Sequence, residues 1–214
     1  MNDPNPHLVE RMQGHRLSIF AEMSTLALET GSINLGQGFP DTDGPSEVLD
    51  AAVAAIRAGH NQYPPDRGIP ELRQAVADHQ RRFYGLDVDR ADVMVSTGAS
   101  EALGASILAL VEPGQEVVVF EPYFDLYAAI IELAGGVRRS VTLRAPDYSF
   151  DQADLEAAIG PDTRLILLNT PHNPTGKVFS SDELAAIAQV ALEHDLLVVT
   201  DEVYEHMTYD GIRH

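Results

Sequence analysis

From Asp92 onward the sequence alternates between short apolar runs and longer amphipathic segments. That alternation limits the fold more than any other feature. Residues 93–96, 117–120, 165–168 and 196–200 have the length and apolarity of buried strands, and residues 137–143 are a further strand candidate. Between them, residues 100–111, 124–133, 152–159 and 181–194 carry apolar side chains at helical spacing. Buried strands separated by amphipathic helices imply parallel pairing through right-handed crossovers. The expectation is an α/β domain, a mostly parallel sheet with helices on both faces.

The segment before Asp92 reads differently. Residues 1–31 look like an arm followed by a helix, with Ile19, Phe20, Met23, Leu26 and Ala27 on one side and Gly31 as its stop. Residues 45–58 predict a second helix, with Leu49, Ala52, Val53 and Ile56 as an apolar stripe and Gly59 closing it. Residues 70–84 predict a third, with Leu72, Ala75, Val76, His79 and Phe83 facing inward and Gly85 after it. His79 reads as a packed histidine. The change near Asp92 suggests an N-terminal subdomain feeding a larger α/β domain.

Composition removes several functions. With 33 acids against 14 bases the formal charge is -19, which disfavours nucleic acid and anionic membrane surfaces as partners. No cysteine is present, so disulfides, thiolate nucleophiles and cysteine-based zinc sites are out. The eight histidines do not fall at metal-ligand spacing with nearby acids. The N-terminus lacks a signal-peptide core and no apolar run reaches membrane-spanning length, so a soluble cytoplasmic protein is the default.

The candidate chemistry lies where strands end. After residues 165–168 comes Asn169-Thr170-Pro171-His172-Asn173-Pro174-Thr175-Gly176-Lys177, a turn followed by a capping-box pattern from Ser180 to Glu183. Asn173 stands where open α/β sheets bind ligands, although Asn-Pro-Thr-Gly also reads as a plain turn. After residues 196–200 comes Asp201, with Tyr204 three residues on. Asp201 could cap a helix, pair with a base, or hold a pyridinium N–H; Tyr204 could be a packed ring or a donor to a phenolate. Thr97-Gly98-Ala99-Ser100-Glu101 has the small residues of a phosphate cradle at a helix start. The same residues read as a simple cap on Ser100, or as a nucleophile elbow with Ser100 attacking and His172, His194 or His206 as base. Phe124, after Glu121-Pro122-Tyr123, could stack on a flat ring or belong to the core. Gly36-Gln37-Gly38 permits close backbone approach but is no dinucleotide fingerprint.

Taken together these stretches resemble the class I/II aminotransferases, enzymes of fold type I that use pyridoxal 5′-phosphate (PLP). The blocks that carry the resemblance are Asn34-Leu35-Gly36-Gln37-Gly38-Phe39-Pro40-Asp41, Asn61-Gln62-Tyr63-Pro64, Glu121-Pro122-Tyr123-Phe124-Asp125, Asn169 through Gly176, and Asp201-Glu202-Val203-Tyr204-Glu205. The wording is most similar to kynurenine/glutamine-type, methionine-type and N-succinyldiaminopimelate aminotransferases, a setting in amino acid biosynthesis.

The resemblance implies a role for each matching position. Gly38 would offer its N–H to the substrate α-carboxylate. Tyr63 would reach the PLP phosphate of a neighbouring subunit, which makes the enzyme a homodimer. Gly98, Ala99 and Ser100 would bind the phosphate in their own subunit. Phe124 would stack on the ring, Asn173 and Tyr204 would hydrogen-bond its phenolate oxygen, and Asp201 would hold its nitrogen. The reaction would pass an α-amino group from an amino acid to a 2-oxo acid. Residues 1–45 would belong to the small subdomain and 46–214 to an incomplete PLP-binding large domain, truncated before its last strands and the C-terminal domain. The Schiff-base lysine would lie beyond His214; Lys177, the sole lysine, belongs to the Asn-Pro-Thr-Gly block instead. On this reading the chain alone is inactive. Alternatives are a cysteine-conjugate β-lyase on the same core, a serine hydrolase using Ser100, or a non-enzymatic remnant acting through protein contacts.

Overall fold

The computed structural model describes residues 6–14, 19–38, 40 and 42–214. They fall into two compact units, Leu17–Ser96 and the combination of Met1–Arg16 with Thr97–His214.

The second of these is the α/β unit. Its helices are α4 (Gly98–Leu110), α5 (Leu126–Leu133), α6 (Gln152–Ala157) and α7 (Ser181–Glu193); its strands are β1 (Glu116–Glu121), β2 (Val137–Thr142), β3 (Thr163–Asn169) and β4 (Leu197–Asp201). The four strands form a sheet in the order β2-β1-β3-β4, every neighbouring pair parallel. Successive side chains of a strand point to opposite faces, and both faces are covered. Val118, Phe120, Ile166 and Leu168 pack with Leu155 of α6 and Ile187 and Val190 of α7. Val117, Val119, Leu165 and Leu167 pack with Leu103 and Ile107 of α4 and Tyr127, Ile130 and Ile131 of α5. Val117, Val118, Val119, Leu165 and Ile166 are fully buried, each contributing about 1.5–3 kcal/mol of transfer free energy. Double coverage explains why these central strands read as continuous apolar runs.

Two expectations for the strands fail. Residues 93–96 form no strand. Val95 N–H donates to Arg67 O at 3.1 Å, but no ladder forms, because an apolar run becomes a strand only when a second strand lies alongside. The run leading to Asp201 is not buried throughout: Leu197 and Val198 of β4 are 38% and 42% exposed. β4 has a neighbour on one side only.

In the unit Leu17–Ser96 the helices are α1 (Ile19–Thr30), α2 (Ser46–Arg57) and α3 (Pro70–Tyr84), the last ending on Gly85 in a left-handed cap at φ 69°. The inward stripes expected of these helices are corrected. Leu49, Val53 and Ile56 of α2 are exposed, as are Leu72 and Phe83 of α3, where Ala77 is the buried residue. Periodicity identifies a helix but not what covers its apolar face. His79 packs on Phe83 with ring centroids 4.6 Å apart.

Candidate functional site

The site grows from the C-terminal ends of β3 and β4. Their register pairs Leu165 with Leu197 and closes with Asn169 opposite Asp201. Two apolar strands therefore end side by side on two polar residues, both buried. The Asp201 carboxylate accepts a hydrogen bond from the Tyr127 hydroxyl on Oδ2 at 2.6 Å, while Oδ1 receives only a long bond, 3.4 Å, from Val203 N–H. Tyr127 lies on α5 beneath Phe124, the two rings meeting edge to face at 5.9 Å. Burial, then the Asp201 bond, pushes the Tyr127 phenol well above its ordinary range, so it stays protonated as a donor.

Beyond β3 the chain turns through Asn173. Its N–H donates to Asn169 Oδ1 at 2.6 Å. The next residues close on themselves: His172 N–H donates to Lys177 O, Gly176 N–H donates to His172 O, and His172 Nδ1 meets Thr175 Oγ1 at 2.8 Å. His172 is buried, and burial holds its imidazole below the usual range, with Lys177 adding in the same direction. Lys177 is itself engaged, its Nζ 2.8 Å from Glu183 Oε1 and 5.3 Å from the Phe179 ring centroid. The expected capping box is present: Ser180 Oγ accepts from Glu183 N–H while the Glu183 carboxylate accepts from Ser180 N–H.

At the start of α4 the N-cap is Thr97, not Ser100, which lies inside the first turn. The Thr97 N–H is held by the Glu101 carboxylate, and Gly98 adopts φ +77° with open space where a Cβ would stand. Among the described residues no histidine is hydrogen-bonded to Ser100, so the nucleophile-elbow arrangement is not assembled. Gly38 and Tyr63 lie in the other unit. Gly38 has nothing within 4 Å of where a Cβ would stand, and Tyr63 is 100% exposed.

The family model for aminotransferase class I and II matches residues 30–213. The chain belongs to the class I and II aminotransferases. It is 49% identical over 210 residues to a probable N-succinyldiaminopimelate aminotransferase of Mycobacterium tuberculosis, covering 96% of this chain and 53% of that protein. It is 41% identical over 198 residues to the methionine aminotransferase of Escherichia coli, covering 92% and 51%. The solved N-succinyldiaminopimelate aminotransferase from Mycobacterium tuberculosis superposes with a TM-score of 0.93 at 48% identity, over 97% of this chain and 55% of that one. The chain thus spans about half the length of the curated relatives it matches.

Aminotransferases of this family use PLP, and the donor set here suits that group. The Asn173 carboxamide and the Tyr204 hydroxyl make no hydrogen bond among the described residues, and Asp201 Oδ1 is nearly free. Two open donors and one open carboxylate oxygen match a ring with an anionic oxygen and a protonated nitrogen. Tyr127 and Asn169 escaped the sequence reading. Tyr127 was not singled out within its helix, and Asn169 stood only as the first residue of a turn block; strand register and helix packing bring each to Asp201.

Proposed function

We propose that the protein carrying this chain is a PLP-dependent aminotransferase that moves an α-amino group from an amino acid to a 2-oxo acid, with this chain supplying most of the cofactor-binding residues. The observation that carries the reading is the side-by-side ending of β3 and β4, which brings Asp201 and the Asn173 turn to one edge of the sheet. Bound PLP supplies an electron sink for bonds at the substrate α-carbon. Asp201 accepts the ring N–H and keeps that nitrogen protonated; Asn173 and Tyr204 donate to the phenolate oxygen. Phe124 covers a ring face. The N–H groups of Gly98, Ala99 and Ser100, at the positive end of α4, bind the phosphate. Gly38 receives the substrate carboxylate.

Tyr63, fully exposed, serves the phosphate of the partner subunit in a homodimer, and residues 46–214 form the larger part of the PLP-binding domain, with 1–45 belonging to the smaller one. Lys177, occupied by Glu183 and Phe179, is not the residue that binds PLP covalently. The absence of cysteine suits a cytoplasmic setting. N-Succinyldiaminopimelate and methionine are the first amino donors to assay, since the relatives named above act on them.

The test is amino-group transfer by the PLP-loaded protein and its Asp201→Ala variant. Loss of the charge-assisted bond to the ring nitrogen lowers turnover by about a hundredfold or more. Near-normal turnover in the variant removes Asp201 from this role.

A further inference from the structure

We infer that Asn169 is a positioning residue that sets the span between the two ring-holding residues Asn173 and Asp201; this rests on the reading of those residues given above. Asn169 closes β3, is 3% exposed, and has both ends of its carboxamide engaged. Oδ1 accepts the Asn173 N–H at 2.6 Å, and Nδ2 donates to the Asp201 carbonyl at 2.8 Å. The two bonds reach the backbones of the very residues assigned to the ring nitrogen and the phenol oxygen.

Strand pairing alone does not accomplish this. The ladder fixes Asp201 against Asn169, but Asn173 lies four residues beyond, in a turn that no ladder bond reaches. The carboxamide of Asn169 draws that turn back over the strand end. At Asp201 the carbonyl receives a second donor, Thr170 N–H at 3.1 Å, so the peptide from which the carboxylate projects is held twice. A pyridine ring is rigid, and its nitrogen and phenol oxygen cannot change their separation. Protein groups that hold both must therefore keep a fixed span, and a buried two-ended amide does so without touching the ring. The position requires a donor and an acceptor on one short side chain. Aspartate lacks the donor, leucine lacks both, and serine is too short to bridge.

The experiment uses pyridoxamine 5′-phosphate, which needs no lysine to bind, labelled with ¹⁵N in the ring. Affinity is measured by calorimetry, ring-nitrogen protonation by ¹⁵N NMR, and phenol ionisation by absorbance against pH. Asn169→Leu should weaken binding about tenfold or more and move both ring signatures toward those of free ligand. Asn169→Asp keeps the acceptor for Asn173 and loses the donor to Asp201, so it should move the nitrogen signature more than the phenol one. Ile187→Ala, a core truncation with a large effect on melting temperature, should leave both signatures unmoved. If Asn169→Leu and Asn169→Asp keep wild-type ring signatures while Asp201→Asn shifts the nitrogen, Asn169 is structural only and the inference falls alone. If Asp201→Asn also changes nothing, or the wild type does not bind the probe, the reading of Asp201 falls and takes this inference with it.

Discussion

Tyr127 donates its hydroxyl proton to Oδ2 of Asp201 across 2.6 Å, tying α5 to the end of β4 over 74 positions of sequence. The bond occupies one carboxylate oxygen and leaves the other with only the long bond from Val203 N–H. Tyr127→Phe removes it while keeping the ring, and should lower stability by about 2 kcal/mol, the typical value for a hydrogen bond to a charged group. The phenol pKa is raised in the folded state above its ordinary 10.0. Its contribution is therefore complete below pH 10 and declines as pH rises toward the folded value. Thermal melts should show an alkaline loss in the wild type that Tyr127→Phe lacks.

His172 carries the opposite pH signature. Burial lowers its pKa below 6.5 in the fold, against the opposing effect of its bond to the Phe120 carbonyl. The neutral ring belongs to the folded state, so the stability it contributes is present above pH 6.5 and lost as pH falls through the depressed value. Melting temperature measured from about pH 8 down to about pH 5 should fall in the wild type, and fall less in His172→Asn.

Ser180 caps α7 through a reciprocal pair with Glu183. Ser180→Ala should cost about 1 kcal/mol, a drop of roughly 2–4 °C in melting temperature for a chain of this size. An unchanged melting temperature would mean that solvent replaces the cap at no cost.

The open side of β4 and the exposed helix faces predict association. Leu197 and Val198 on β4, with Leu28, Ile33, Leu35 and Ile56 in the other unit, are exposed apolar side chains, and an unpaired strand edge accepts further strands. Expressed as residues 1–214, the chain should show concentration-dependent self-association by light scattering. Added salt should increase it by screening the net charge of -19. Val198→Lys should reduce it; an ideal monomer at all concentrations would contradict the prediction.

Part of the candidate site was legible in local residue order. Asn173 and Asp201 stood out because each comes after an apolar run; in the fold Asp201 closes β4 and Asn173 lies four residues beyond the end of β3. The capping box at Ser180 was visible because both partners lie within one turn. By contrast, residues 93–96 carry a strand's composition without a strand's hydrogen bonds. The stripe on α2 has the right period, yet it faces solvent.

The sequence by itself determined the alternation of helix and strand from α4 onward, the capping box of α7 and the order in which polar residues follow apolar runs. These depend on side-chain periodicity and on bonds between residues a few positions apart. Only the tertiary structure decided which strands pair, which apolar faces are covered, and that Tyr127 and Asn169 both donate to Asp201. Those outcomes turn on strand register and the meeting of distant segments, and a carboxamide that bridges a turn and a strand end looks the same in a sequence as one that bridges nothing.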